Sequence, residues 1–213
     1  MTQPLNPNLS DTAMRVRSSY FKVEDMQANV RLADTMQPIL QTSRLNLRKF
    51  TLADADTVEL LAGDLRVAET TAAIPHPYPK GAAAEWISKH GAIFENREGV
   101  VYAITDRASD GLLGAINLLA ISPAHARCEL GYWIAFEHWS KGICTEAAQA
   151  LIDYAQQEFG ATRVVARCLA SNLGSARVME KVGLVLEGRL IKHEKHRGTF
   201  EDLLLYGKAF PGR

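Results

Sequence analysis

No segment of this 213-residue chain is apolar over the roughly 18 residues that a membrane span requires, and residues 1–10 are polar. A spanning helix is therefore excluded and a secretory signal disfavoured. Cysteine is scarce: Cys128, Cys144 and Cys168 are odd in number and form no CxxC pair. That rules out a disulfide framework and a zinc ribbon, and a reducing, cytoplasmic compartment is the simpler reading. Charge of one sign is missing too, since 24 Lys and Arg balance 24 Asp and Glu. Overall electrostatics thus carry no footprint for nucleic acid or an anionic membrane. There is no GxxxxGK(S/T) phosphate loop, no GxGxxG fingerprint, no internal repeat and no low-complexity tract.

What is present is ordinary globular material, 47% hydrophobic and 23% charged, which argues against disorder and fibres. A chain of this length buries roughly 70% of its unfolded surface in one domain and needs no disulfide or metal to fold. Residues 1–40 read as a partly ordered extension. Pro4, Asn6, Pro7, Asn8, Ser10 and Asp11 open it without periodicity, although Met14, Val16, Tyr20, Phe21, Val23, Met26, Val30 and Leu32 form a modest apolar set. Pro38 marks the boundary, and 41–213 form the domain.

Within 41–213 the pattern sharpens. Leu45, Leu47 and Phe50 lie in an extended segment, and Ala55, Val58, Leu61 and Ala62 have helical spacing. The run Ile74-Pro75-His76-Pro77-Tyr78-Pro79 cannot be regular helix, because each proline removes a donor. Ala83, Trp86, Ile87, His90 and Phe94 then mark one amphipathic helix. Val100–Thr105 and Leu112–Ile121 read as a hairpin turning at Ser109-Asp110-Gly111, with a third strand over Glu129–Phe136. A long helix follows on Ile143, Ala147, Ala150, Leu151, Tyr154 and Ala155, closed by a left-handed cap at Gly160. A strand over 163–169, a helix over 175–182 stopped by Gly183, and two closing strands near Val185–Lys192 and Glu201–Phe210 complete the order. This is a mixed α+β sheet, not an alternating doubly wound fold.

The junction from the third strand into the long helix carries the chemistry. There Trp139-Ser140-Lys141-Gly142-Ile143-Cys144-Thr145 opens a helix through a glycine and small residues. Four backbone N–H groups at such an end lack helical partners, and the helix dipole adds partial positive charge. Gly142 allows close approach and Lys141 adds a full charge, so the junction suits a phosphate or diphosphate.

These residues resemble the GNAT acetyltransferase superfamily, and within it the ribosomal-protein N-terminal acetyltransferases called Rim. The acyl-CoA loop of that family, Arg/Gln-x-x-Gly-x-Gly/Ala, corresponds to Trp139-Ser140-Lys141-Gly142-Ile143-Cys144. Gly131-Tyr132-Trp133-Ile134, Ala161-Thr162-Arg163-Val164-Val165-Ala166 and Asn172 to Leu184 are also similar to the group, as are Ile74 to Tyr78 and Asp202 to Tyr206. The likeness spans roughly 41 to 210 in order. It departs at Trp139, where the superfamily has Arg or Gln, and at Cys144, where it has Gly or Ala. A thiol at a helix N-terminus is expected to have a lowered pKa, so Cys144 is expected to alkylate readily and to be protected by CoA.

The resemblance implies a GNAT fold, with a mixed, mostly antiparallel central sheet flanked by helices and a splayed strand pair at the acyl-CoA site. It implies transfer of acetyl from acetyl-CoA to a primary amine in a ternary complex, without a metal. Tyr132, Trp133, Ile134 and Ala135 are then expected along the pantetheine arm, one backbone N–H stabilising the thioester oxygen by about 3 kcal/mol. Trp139, Ser140, Lys141, Gly142, Ile143, Cys144 and Thr145 are expected around the diphosphate, with Asn172 and Arg177 as further donor contacts. Ser175 is the candidate proton donor to the departing thiolate, Asn172 orients the arm or a water, and Glu129 either relays the amine's proton through water or is a solvated strand-end carboxylate. Asn172 and Ser175 equally suit a helix cap. Glu69, Tyr78 and Tyr206 are acceptor-site candidates, Tyr206 having a core-covering alternative.

Trp86 and Trp133 read as packing, and His193-Glu194-Lys195-His196 falls one residue short of HExxH, so no metal is expected. The acceptor is a protein N-terminal α-amine or a small amine such as a polyamine, amino acid or antibiotic. A non-catalytic CoA sensor is the alternative of another class. The partners expected are acetyl-CoA and the acceptor, with no nucleic acid and no membrane, for a monomer or homodimer.

Overall fold

The computed structural model describes residues 36–211. The apolar set from Met14 to Leu32, and with it nearly all of the expected 1–40 extension, lies outside the described residues. The described unit begins at Met36. Gln37 Nε2 donates to the Val101 carbonyl at 2.9 Å, and the first strand starts at Leu40.

The elements are β1 (Leu40–Gln41), β2 (Leu45–Arg48), α1 (Ala55–Ala62), α2 (Leu65–Ala68), α3 (Ala82–Ser88) and α4 (His90–Glu95), followed by β3 (Val100–Asp106), β4 (Leu112–Ser122) and β5 (Arg127–Ile134). Then come α5 (Ile143–Glu158), β6 (Arg163–Leu169), α6 (Leu173–Lys181), β7 (Val185–His196) and β8 (Thr199–Ala209). The strands form one sheet in the order β1-β2-β3-β4-β5-β6-β8-β7. Every neighbouring pair is antiparallel except β5 and β6, which α5 joins as a parallel crossover. The expected mixed, mostly antiparallel α+β sheet is what the chain forms.

Strand alternation divides the core in two. Tyr102 and Ile104 of β3 and Ile116 and Leu118 of β4 face α5 and α6, where Leu151, Ile152 and Met179 meet them. Val101, Ala103 and Ala115 face the other way, against Val58, Ala62, Ala83 and Ile87 of α1 and α3. Helix α5 buries Ile143, Ala147, Ala148, Leu151, Ile152 and Ala155, a stripe of the helical period. The fully buried Leu151 and Ile152 each contribute about 1.5–3 kcal/mol. Gly160 (φ 59°) closes the helix as expected, and the Ala161 N–H returns to the Ala155 carbonyl at 3.1 Å.

Three expected elements differ. The single helix over 83–94 is two short ones meeting at Lys89. There the Ser88 hydroxyl donates to the Glu85 carbonyl at 2.7 Å and the Lys89 N–H turns to Trp86, a tighter turn that breaks the regular ladder. The strand expected to reach Phe136 stops at Ile134, because residues 136–138 form a 3-10 turn. The seventh strand runs on to His196, interrupted near Lys192 (φ 49°) where its register with β8 shifts.

His90 sits between Phe50 and Trp86, whose ring centroids are 5.5 and 4.3 Å away, and its ring nitrogens have no hydrogen-bond partner among the described residues. Burial lowers its pKa from 6.5 to about 4. The unfolded chain therefore binds a proton below about 6.5 that the folded chain refuses until about 4, so stability falls as pH drops through that window. Thermal melting from pH 7 to 5 is expected to show this slope in the native chain and a flatter one in His90→Phe. An equal slope in both would contradict it.

Candidate active site

The site follows from where β5 and β6 part. Their parallel pairing covers only Arg127–Leu130 against Arg163–Ala166, while β5 continues to Ile134 and β6 to Leu169. On the β6 side, the backbone of Gly131–Ile134 thus lies outside the ladder, at the mouth of a wedge between the strands. On the other side β4 still pairs with it, Gly114 opposite Ile134. A Cβ at Gly131 would stand 2.9 Å from the Asn117 amide oxygen, so that side chain would have to shift to admit one.

The strand leads into the loop and α5. Ser140 (φ 58°) and Gly142 (φ 77°) are both left-handed, and Gly142 is an N-cap without a side-chain bond to the first turn. Such a turn directs successive amides outward, as an anion requires. Ser140, Lys141 and Gly142 are exposed, and a cavity of about 620 Å³ opens beside them, lined in part by Gly142, Thr145, Glu146, Gln149 and Lys181. Trp139 remains partly exposed, but its indole N–H donates to the Ile134 carbonyl at 2.7 Å and its ring packs on Phe136. Arg66 of α2 lies over Phe136, 3.6 Å from the ring centroid. With its only donor used, Trp139 braces the loop rather than reaching an anion.

Across the wedge stands α6. Asn172 caps it, accepting the Ser175 N–H at 2.9 Å, and also donates to the Thr70 carbonyl at 2.9 Å. The expected capping role is present, and Asn172 additionally ties α6 to the segment after α2. The Ser175 hydroxyl shares a 2.9 Å hydrogen bond with the Tyr132 phenol, which also donates to the Ser175 carbonyl at 3.1 Å. Burial pushes the Tyr132 phenol up, so it stays protonated at neutral pH. Arg177 is exposed on α6, and Ile134 and Ala135 are buried at the strand end.

Glu129 and Arg167 pair at 2.7 Å on the opposite sheet face, beside the last paired residues. Trp133 and Tyr78 pack against the α1/α3 core, and Glu69 is exposed at the end of α2. Tyr206 takes its core-covering alternative. It is buried with α5 and α6, and its hydroxyl reaches Glu180 at 3.4 Å. Cys144 is half-buried against the core, and that desolvation pushes its thiol up, opposite to the lowering expected at a helix N-terminus. Among the described residues no cluster of three His, Cys, Asp or Glu could hold a metal, and no helix is long and apolar enough to cross a membrane. Sequence reasoning missed Arg66, Phe136, Arg44 and Glu146, all joined to this loop by contacts remote in sequence.

Comparison with known proteins matches residues 44–185 to the acetyltransferase (GNAT) domain family. The uncharacterized N-acetyltransferase YoaA of Bacillus subtilis (strain 168) is 29% identical over 176 residues, 83% of this chain and 99% of its own. The ribosomal-protein-serine acetyltransferase of Escherichia coli (strain K12) is 34% identical over 99 residues, 46% of this chain and 55% of its own. Among solved structures, the ribosomal L7/L12 α-N-protein acetyltransferase RimL in complex with coenzyme A superposes with TM-score 0.75 at 18% identity, covering 81% of this chain and 98% of that one. Spermidine N-acetyltransferase from Vibrio cholerae, with CoA and spermine, gives 0.68 at 20% identity, covering 79% and 96%.

Two outcomes follow. Asn172→Asp keeps the cap acceptor but cannot donate to Thr70, so melting and acetyl-CoA affinity are expected to hold while amide exchange over 66–74 quickens. Lost affinity with unchanged exchange would instead return Asn172 to orienting the donor. Iodoacetamide at neutral pH is expected to modify Cys144 slowly in the native protein, and labelling as fast as that of a free thiol would contradict its burial.

Proposed function

The chain belongs to the GNAT acetyltransferase family and is an acetyl-CoA-dependent N-acetyltransferase, and from that premise we propose that its acceptor is the α-amino group of a protein N-terminus. The observation that carries the acceptor reading is that carboxylates across the described surface are paired with arginines. Glu129 is held by Arg167, Asp64 by Arg66, Glu187 by Arg163 and Asp202 by Arg189. A polycation is captured by a run of unpaired carboxylates, whereas these are each neutralised in place. A single α-amine on an otherwise ordinary peptide suits this mixed surface better. The 34% identity to a ribosomal-protein-serine acetyltransferase supports the same class.

In this reading the left-handed turn and the first amides of α5, with Lys141, take the diphosphate of the donor. The pantetheine arm enters the wedge along Tyr132 to Ala135, where a free N–H of β5 stabilises the thioester oxygen. Holding both reactants together supplies much of the acceleration, because a neutral amine is already a competent nucleophile. The amine's proton leaves to water, since Glu129 is already engaged by Arg167 on the other sheet face, and Ser175 donates to the departing thiolate. The Tyr132 phenol holds the Ser175 hydroxyl in place through their hydrogen bond, and the serine regains its proton from solvent.

Removal of one such proton donor lowers turnover by about a hundredfold or more. Ser175→Ala is therefore expected to retain acetyl-CoA binding and lose turnover to that extent; full activity would remove the serine from the reaction. Incubation with isotope-labelled acetyl-CoA, a desalted bacterial lysate and added small amines, followed by mass spectrometry, is expected to place label on protein N-termini. Label confined to polyamines or other small amines would overturn the acceptor assignment and leave the acetyl-transfer reading standing.

A further inference from the structure

The turn between β1 and β2 is bound to the first turn of α5 through one carboxylate. Glu146 Oε1 accepts from the Thr42 hydroxyl at 2.6 Å, the Ser43 hydroxyl at 3.0 Å and the Arg44 N–H at 3.0 Å. Its Oε2 accepts from Arg44 Nε and Nη2, each at 2.7 Å. The third guanidinium nitrogen, Nη1, donates to the Lys141 carbonyl at 3.1 Å, and Nη2 lies 3.5 Å from where a Cβ on Gly142 would stand. Residues about a hundred positions apart in sequence thus meet at the left-handed turn formed by Ser140 and Gly142.

A carboxylate in the first turn of a helix favours the helix dipole but repels an anion bound at the same end. Here that repulsion is cancelled locally, since Arg44 pairs with Glu146 in a two-pronged contact and leaves the Lys141 charge unspent. Burial alone would raise the Glu146 carboxyl, yet hydrogen bonds from Thr42, Arg44 and Ser43 hold it at about 2, so it is ionised throughout the working range. The Lys141 carbonyl, fixed by Arg44, sets the plane of the next peptide and hence the direction of the Gly142 N–H.

We propose that Arg44 and Glu146 are positioning residues for the acyl donor: Glu146 orients Arg44, and Arg44 holds the 140–142 turn so that its amides face the diphosphate. Neither touches the reacting atoms. The proposal rests on the reading that the diphosphate sits at the start of α5, and it adds two residues from outside the loop as the reason that loop keeps its shape.

The test is calorimetric binding of coenzyme A, and of pantetheine, which lacks the diphosphate, to the full chain and to Glu146→Gln and Arg44→Ala. Both variants are expected to bind coenzyme A about tenfold more weakly, a difference of about 1.4 kcal/mol, with pantetheine affected less than about twofold. Arg44→Lys, which cannot make the two-pronged contact, is expected to fall between. Equal losses for both ligands, or no loss for either, would reduce the pair to a structural contact and overturn the proposal. Should either variant fail to fold, Thr42→Val and Ser43→Ala are expected to shift the same ratio by a smaller factor, and an unshifted ratio overturns it. Failure of the native chain to bind coenzyme A would instead overturn the donor-site reading beneath it.

Discussion

Strands β5 and β6 stay hydrogen-bonded only as far as Leu130 and Ala166, and the rest of the site depends on that early parting. A sheet interior normally pairs every N–H and C=O, so a strand that loses a neighbour must find other partners or present its backbone to a ligand. The Ile134 carbonyl finds one in the Trp139 indole. The side chain of Tyr132 reaches Ser175 of α6. Two helix starts, that of α5 beside the loop and that of α6 across the wedge, border this opening, one suited to an anion and the other carrying a hydroxyl. In the proposed reading, donor binding and proton supply are both consequences of one strand pair that does not close.

Holding such an opening in shape falls to contacts between remote segments. Asn172 links α6 to Thr70, and His196 of β7 approaches the Ala68 carbonyl at 3.4 Å. Arg66 covers Phe136 in the loop, while Arg44 and Glu146 tie the N-terminal hairpin to α5. The segment around α2 is thus anchored to the β7–β8 hairpin, to α6 and to the loop at once.

Much of this architecture was legible in the sequence because it rests on local periodicity. The α5 stripe, its Gly160 cap, the β3–β4 hairpin and the glycine at the loop are all short-range signals, and the wedge followed from the resemblance. The 3-10 turn at Phe136–His138 was not legible, since Phe136 continues the strand alternation and leaves it only to meet Arg66. Helix α2 is too short to display a period. The split at Lys89 hides within an unbroken apolar stripe, Ser88 being its one local mark. Cys144 misled for a different reason: its position at a helix start suggested an activated thiol, but packing against the core decides its character. The Arg44–Glu146 pair had no local signature at all, because its meaning lies in a fold that brings the two together.

The most direct test is a crystal structure of the full chain with acetyl-CoA bound. The account predicts the diphosphate within hydrogen-bond distance of the amides at the start of α5, and the thioester in the wedge between Tyr132 and Ser175. A donor bound elsewhere, or a wedge closed by continued pairing of β5 with β6, would contradict it.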